Sequence, residues 1–266
     1  MVIEQPNHVW ESPATRLKTI GIFISTAALD ATKTLDMLNL PQHRPDMNDA
    51  GAIKDIYQRA VGQHTAAWLD IEANEFWRQP GTICYTKDDF RNHTAHGRLS
   101  WDEPLYTIDT TADAIALPAV PWPITTNAQN RPLAGIKVLD LTRVIAGPTI
   151  SKILALQGAD VLRVSSKNIP EASILMFDTQ IGKRDVEINL KTTPGKLSFR
   201  RLLEQADVIL DGFRPGVLDR LGFGQTMVQE IARRRGKGII YARENTYGWR
   251  GEWRDRCGYQ QISDCV

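Results

Sequence analysis

Several cationic residues of this 266-residue sequence occur where a strand is expected to end or a loop to follow, and they could bind phosphate groups. They are Arg143, Lys183, Arg214 and Arg220. Guanidinium and ammonium groups donate charge-assisted hydrogen bonds to phosphate oxygens. Taken singly, each side chain is better explained as a solvated surface charge. Because they recur at one sheet edge, a shared phosphate-binding site is as well supported as four separate surface charges.

The elements that would position these cations begin with the stretch from Arg131 to Val164. Its apolar spacing predicts a strand over 136–141, a helix through 150–156 and a second strand over 161–164. Two strands joined through a helix form a parallel right-handed crossover. The turn between the first strand and the helix therefore lies at the carboxyl end of a sheet, where open α/β folds bind ligands.

That turn is suited to an anion such as a pyrophosphate. Gly147 lets a ligand approach the backbone, and Pro148 suits the start of a helix, whose free amides favour negative charge. The G-x-G-x-x-G pattern of dinucleotide-binding folds is absent here, and Gly222 and Gly224 follow no strand. The sequence therefore gives only weak support for NAD binding. A more highly charged nucleotide, such as the 3′-phosphorylated ADP of coenzyme A, would require several cations where strand ends converge.

Strands and helices continue to alternate to the end of the sequence. Strands are expected at 186–190, 207–210 and 238–242, with helices starting near Thr193 and Thr226. This spacing predicts an α/β fold with a doubly wound, mostly parallel (Rossmann-like) sheet covered on both faces.

The N-terminal part of the sequence is expected to be mainly helical. Ser25 or Thr26, Asp49 and Thr65 could cap successive helices, the last of which carries an aromatic-rich set interpreted as core. Proline-rich sequence follows. The expected division is a helical segment at 1–105, a linker at 106–131, and a nucleotide-binding domain at 132–266.

Composition excludes several functional classes. With 42% hydrophobic residues, 24% charged residues and a net charge of +1, the chain has material for a core and no global field for nucleic acid or membrane. No apolar run reaches membrane-spanning length, and no signal peptide is evident, so a cytoplasmic location is expected, with a mitochondrion or peroxisome as the alternative.

Three scattered cysteines suit a reducing compartment. The pair His93 and His96 is interpreted as a solvated loop, and no metal is expected.

Several segments resemble one known family. They are RPLAGIKVLDLTRVIAGP, LQGADVLRV, GKRDVEINLKTTPGK, ADVILDGFRPGVLDRLGFG and YGWRGEWRDRCGYQQISD. They resemble the N-terminal half of CoA-transferase family III, the CaiB/BaiF family, which includes formyl-CoA and carnitine-CoA transferases and α-methylacyl-CoA racemase. Residues 68–108 resemble more loosely the segment that ends a family unit. The sequence is therefore expected to join the tail of one unit to the head of the next.

The resemblance implies coenzyme A as substrate and product, and it implies the residues that contact it. The turn after the first strand would lie against coenzyme A, the G-K-R lysine beside the adenine nucleotide, and the F-R-P-G loop against the pantetheine and phosphates. The corresponding residues are Arg143, Val144, Ile145 and Ala146 in the turn, Lys183 in G-K-R, and Phe213, Val217, Arg220 and Leu221 in and after the loop. The sequence departs from the family pattern at Ser165–Lys167, where the family has a charged pair, and at Gly212, where it has asparagine.

The resemblance also bears on catalysis. Family transferases use an aspartate that attacks the acyl-CoA thioester, and it lies beyond the equivalent of Gly258-Tyr259. The sequence ends before that motif, and Asp264 is interpreted as a helix residue, so no catalytic residue is assigned and no activity of the chain alone is expected. Tyr259 replaces the histidine of the racemase branch, which disfavours a racemase.

The expected function is therefore CoA transfer between an acyl-CoA and a carboxylic acid, in a truncated form and, at full length, in a homo-oligomer. The alternative is a non-catalytic acyl-CoA-binding or subunit-interaction module.

Overall fold

The structure is a computed structural model that describes residues 2–3, 23–25, 31–109, 117, 120–121, 131–169, 171, 173–259 and 262. Most of the expected linker, the residues 26–30 that would start the first helix, and Asp264 lie outside the described residues. The chain divides into two compact units: Met1–Leu105 together with Thr246–Val266, and Tyr106–Asn245.

The first unit is mainly helical, as predicted. Its elements are β1 (Val2–Ile3), β2 (Phe23–Ser25), α1 (Ala31–Met37), α2 (Ala50–Val61), α3 (Ala66–Ile71), a π-helical turn (Glu72–Phe76), β3 (Gly81–Ile83), α4 (Lys87–His93), α5 (Ala95–Ser100) and a 3₁₀ turn (Glu252–Asp255). The strands form a small antiparallel sheet in the order β1-β2-β3. Two of the predicted caps are confirmed, since Asp49 accepts from the amide of Ala52 and Thr65 from the amide of Trp68, whereas Ser25, one of the two residues expected to cap the first helix, lies in β2.

The core of the first unit differs from the expectation in two places. Of the aromatic-rich set, Leu69 is buried, but Ile71 and Phe76 are 50% and 71% exposed. The solvated-loop interpretation of the histidine pair is wrong for His96, which lies in α5, is 2% exposed and stacks on Trp253 at 4.9 Å between ring centroids. The sequence spacing could not show this partner, because it lies far along the chain.

Residues 246–259 are held in the first unit by a buried ion pair. The Arg256 guanidinium bonds both carboxylate oxygens of Asp70, at 3.1 and 3.0 Å, and Glu75 at 3.0 Å. The Arg256 side chain is 7% exposed and the Asp70 side chain 9%, and the guanidinium also lies over the Trp253 ring. Removing either partner would leave the other charge buried without its counter-ion, which is strongly destabilising.

The second unit contains the predicted α/β fold. Its elements are β4 (Lys137–Leu141), α6 (Ala146–Leu156), β5 (Asp160–Ser165), α7 (Ser173–Thr179), β6 (Arg184–Glu187), α8 (Thr193–Leu203), β7 (Val208–Asp211), α9 (Val217–Leu221), α10 (Gln225–Arg235) and β8 (Ile240–Arg243). All strands pair in parallel, in the order β6-β5-β4-β7-β8. This confirms the doubly wound sheet, while α7 is an element that the sequence patterns did not predict.

Both faces of this sheet are covered. On one face Leu139 and Ile209 pack with Phe199 of α8 and Ile231 of α10. On the other face, strand residues lie against Ala155 of α6. The outer side of α6 keeps apolar residues exposed: Ile150 at 42%, Ile153 at 53% and Leu156 at 59%.

Among the helices that the structure describes, none is long and apolar enough to cross a membrane. In the same part of the chain no group of three or more His, Cys, Asp or Glu residues could hold a metal ion.

Candidate functional site

The candidate site begins where the carboxyl ends of β4 and β7 lie side by side. Leu141 pairs with Asp211 in the parallel ladder, so the turn after β4 and the loop after β7 leave the sheet together. The chain proceeds from β4 to β5 and β6 on one side and returns through β7 to β8 on the other. Such a reversal opens a crevice outside the strand ends, where doubly wound folds bind ligands.

The buried carboxylate of Asp140 organises the turn after β4. Its Oδ1 accepts from the amide of Thr142 at 3.0 Å and from the Thr142 hydroxyl at 2.5 Å. Its Oδ2 accepts from the hydroxyl of Ser151 on α6 at 2.5 Å. Asp140 is fully buried, so these bonds tie the end of β4, the turn and α6 into one unit.

The predicted contact residues of the turn are placed at its surface. Val144 adopts a left-handed backbone conformation, with φ of 73°, which is rare for a β-branched residue. Ile145 is 49% exposed, and Ala146 begins α6. Arg143 is partly exposed in the same turn. Strain of this kind persists only where the surrounding contacts hold it, and it is common at binding sites.

Glu244, which directly follows β8, occupies the position where a ligand anion was expected. Its carboxylate accepts the backbone N–H of Gly147, in the first turn of α6. A Cβ added at Gly147 would lie 2.5 Å from Glu244 Oε1, and one added at Gly212 would lie 2.9 Å from the same oxygen. The departure from the family pattern at Gly212 thus leaves room for this carboxylate.

Lys183 is an internal cation in this structure. Its ammonium donates to Asp140 Oδ2 at 3.0 Å and to the carbonyl of Pro148 at 2.8 Å, and the side chain is 1% exposed. Burial is the largest influence on the pKa of Lys183 and lowers it, and the Asp140 carboxylate opposes this shift. The residue precedes β6 instead of following a strand. Its ammonium contacts β4 through Asp140 and the first turn of α6 through Pro148.

The loop after β7 is held by a second buried carboxylate. Asp211 Oδ1 accepts from the amide of Phe213 at 2.9 Å, and Oδ2 accepts from the hydroxyl of Tyr241 at 2.9 Å. Burial raises the pKa of Asp211. Phe213 and Leu221 pack against the core, whereas Arg220 is exposed. Val217 begins α9 directly after Gly216, whose φ of 74° the absence of a side chain permits.

A cavity of about 380 Å³ lies at the ends of β5 and β6. Its lining includes Ser165, Ser166, Lys167, Ile169, Met176 and Lys183. Arg163 also lines it, but this guanidinium is buried and ion-paired with Glu171 and Asp185. Lys167 is 84% exposed at the cavity and lies 3.2 Å from Glu187.

The sequence-based set is therefore only partly assembled in one place. The turn residues and the loop residues lie at adjacent strand ends, whereas Lys183 lines the neighbouring cavity with its ammonium turned inward. Sequence reasoning missed Asp140 and Glu244. Asp140 left a signal, since a carboxylate inside an apolar strand requires buried partners. Glu244 left none in the local pattern.

Comparisons with known proteins agree with the motifs. The family described as CoA-transferase family III matches residues 133–266. The acetyl-coenzyme A transferase nodX of Hypoxylon pulicicidum is 41% identical over 248 residues, which cover 92% of this chain and 42% of that protein. An acyl-CoA transferase of Gibberella moniliformis is 37% identical over 241 residues, covering 90% of this chain and 42% of that protein.

Among solved structures, a CAIB/BAIF family protein from Brucella suis is similar at 29% identity, with a TM-score of 0.45, over 50% of this chain and 38% of that one. The chain spans less than half the length of the two curated relatives. Because the family match extends over the whole α/β sheet and continues to residue 266, the chain belongs to CoA-transferase family III.

Proposed function

We propose that this chain carries the coenzyme A-binding part of an enzyme that transfers CoA between an acyl-CoA thioester and a carboxylic acid. The observation that carries the proposal is the pairing of Leu141 with Asp211, which brings the strained turn 142–146 and the loop 213–221 to adjacent strand ends at the switch point of the sheet. Both curated relatives are named as transferases of acyl-CoA or acetyl-CoA. We assign no catalytic residue to the described part of the chain.

Each part of the coenzyme has a proposed position. The pantetheine and diphosphate lie along the turn and the loop, against Arg143, Val144, Ile145, Ala146, Phe213, Val217, Arg220 and Leu221. The adenine nucleotide enters the cavity beside β5 and β6, where Ile169 and Met176 supply apolar surface and the stem of Lys183 forms part of the wall. The ammonium of Lys183 is already paired, so exposed cations such as Arg220 must meet the phosphates.

A calorimetric titration of CoA into the chain tests the proposal. Arg220→Ala should weaken binding by about tenfold or more, because a hydrogen bond to a charged group contributes about 1.5 to 3 kcal/mol. The matched control is Arg201→Ala, which removes an exposed arginine from the last turn of α8, a helix that has run back from the carboxyl edge. This control should bind CoA like the unchanged chain.

Two outcomes would contradict the proposal. If the unchanged chain does not bind CoA, the assignment of the site fails. If Arg220→Ala and Arg201→Ala bind equally well, coenzyme A does not use the loop after β7. Transferase activity is then assayed on the protein at the full length of its relatives, with acyl-CoA donors and carboxylate acceptors.

A further inference from the structure

The carboxylate of Glu244 lies in a confined space at the start of α6. The space is bounded by Gly147, by Gly212 and by the side chain of Thr142. A Cβ at Gly147 would lie 2.4 Å from Thr142 Cβ as well as 2.5 Å from Glu244 Oε1. These separations are far below van der Waals contact, so the two glycines are required for the carboxylate to fit.

The electrostatic surroundings of Glu244 are unfavourable for a carboxylate apart from one feature. Burial raises the pKa of Glu244, and the nearby charges of Asp140 and Asp211 raise it further, while the hydrogen bond from the Gly147 amide lowers it. Lys183 is paired with Asp140 and compensates that charge. The N–H end of the eleven-residue helix α6 is thus the feature that favours negative charge here.

The same carboxylate closes one end of the strained turn. Asp140 binds the start of the turn through the amide and hydroxyl of Thr142, and Glu244 binds its end through the amide of Gly147. Val144, with its positive φ, lies between these two anchors. A strained residue requires such fixed neighbours on both sides to keep its conformation.

We propose that Glu244 is a positioning residue of the CoA site: its carboxylate takes the anion position at the start of α6, holds turn 142–147 in its binding conformation, and leaves the phosphates to the loop after β7 and the β5–β6 cavity. This inference rests on the proposed function. It assigns to this chain an internal carboxylate where open α/β folds commonly receive a ligand phosphate.

Hydrogen exchange of the peptide covering 142–149 tests, without any ligand, whether the Glu244 carboxylate acts as a clamp that holds the turn. In Glu244→Ala the Gly147 amide loses its acceptor and should exchange about tenfold faster or more, the factor carried by a lost charge-assisted hydrogen bond. Glu244→Gln keeps an acceptor oxygen at the same position but without the charge, so its exchange rate should lie between those of Glu244→Ala and the unchanged chain. Glu230→Ala, which removes an exposed glutamate of α10, is the control and should also be unchanged.

Calorimetry with CoA then tests whether the clamp serves the site. Affinity should fall about tenfold in Glu244→Ala and by a smaller factor in Glu244→Gln, which keeps the hydrogen-bond acceptor but not the charge. If Glu244→Ala does not fold, Glu244→Asp replaces it, because the shorter side chain cannot reach the same amide.

The outcomes separate the two proposals. Failure of the unchanged chain to bind CoA contradicts the proposed function, and the exchange rates then still decide whether Glu244 holds the turn. Unchanged exchange in Glu244→Ala, or equally fast exchange in Glu244→Gln, shows that Glu244 is no clamp. Fast exchange with undiminished CoA affinity shows that the clamped turn has no part in binding.

Discussion

Replacing Lys183 by methionine tests whether this cation stabilises the fold or is available to bind a ligand. Its ammonium and the Asp140 carboxylate are 3.0 Å apart, and the two side chains are 1% and 0% exposed. Removing one partner of such a pair leaves the other charge buried, at a cost of about 3 to 5 kcal/mol. Thr142 and Ser151 still donate to Asp140, so we expect the lower end, about 3 kcal/mol.

The adjacent residue provides a matched control. Arg184 pairs with Asp160 at 2.6 Å, but those side chains are 66% and 42% exposed. Exposed pairs contribute about 0 to 1 kcal/mol, so Arg184→Met should change the free energy of unfolding by no more than that. The two substitutions remove neighbouring cations from the same strand start and differ in burial.

Urea unfolding followed by far-UV circular dichroism measures both changes. Because the chain has two units, hydrogen exchange of the β4 and β5 amides assigns the loss of stability to the second one. Combining Lys183→Met with Asp140→Asn removes both charges, so the double variant should be less destabilised than the sum of the single changes. If Lys183→Met costs no more than Arg184→Met, Lys183 is not buried with Asp140, and its charge is available to phosphate.

Further predictions concern the two cores. Phe199→Ala should lower the free energy of unfolding of the second unit by about 3 to 5 kcal/mol, since this ring is fully buried, whereas Phe177→Ala, at 86% exposed, should have little effect in the same urea assay. Burial lowers the pKa of His96 below its usual value of 6.5, so the unfolded chain binds more protons just below that pH. The free energy of unfolding should therefore fall as pH drops below 6.5, and it should fall less in His96→Gln. Tryptophan fluorescence during urea unfolding at pH 7.5 and 5.5 measures this pH dependence. Equal pH dependence in the two proteins would contradict the prediction.

Local chemistry determines much of the architecture of this protein. Asp49 and Thr65 cap helices because their side-chain oxygens accept free amides within the same turn, which requires no distant partner. The strands around the turn 142–147 follow from apolar runs of strand length, and alternation with helices leads to a parallel sheet. The positions of the turn and of the loop after β7 at one edge follow from that topology.

Tertiary structure alone decided which charges are free. Lys183 reaches Asp140 across 43 positions, and Arg256 reaches Asp70 across 186, so neither partner is visible in a local pattern. Glu244 meets the start of α6 only because β8 ends beside β7 and β7 beside β4. The sequence shows the type of each charged residue. Its role depends on burial, because the partner that the fold supplies decides whether a charge is neutralised inside or available to a ligand.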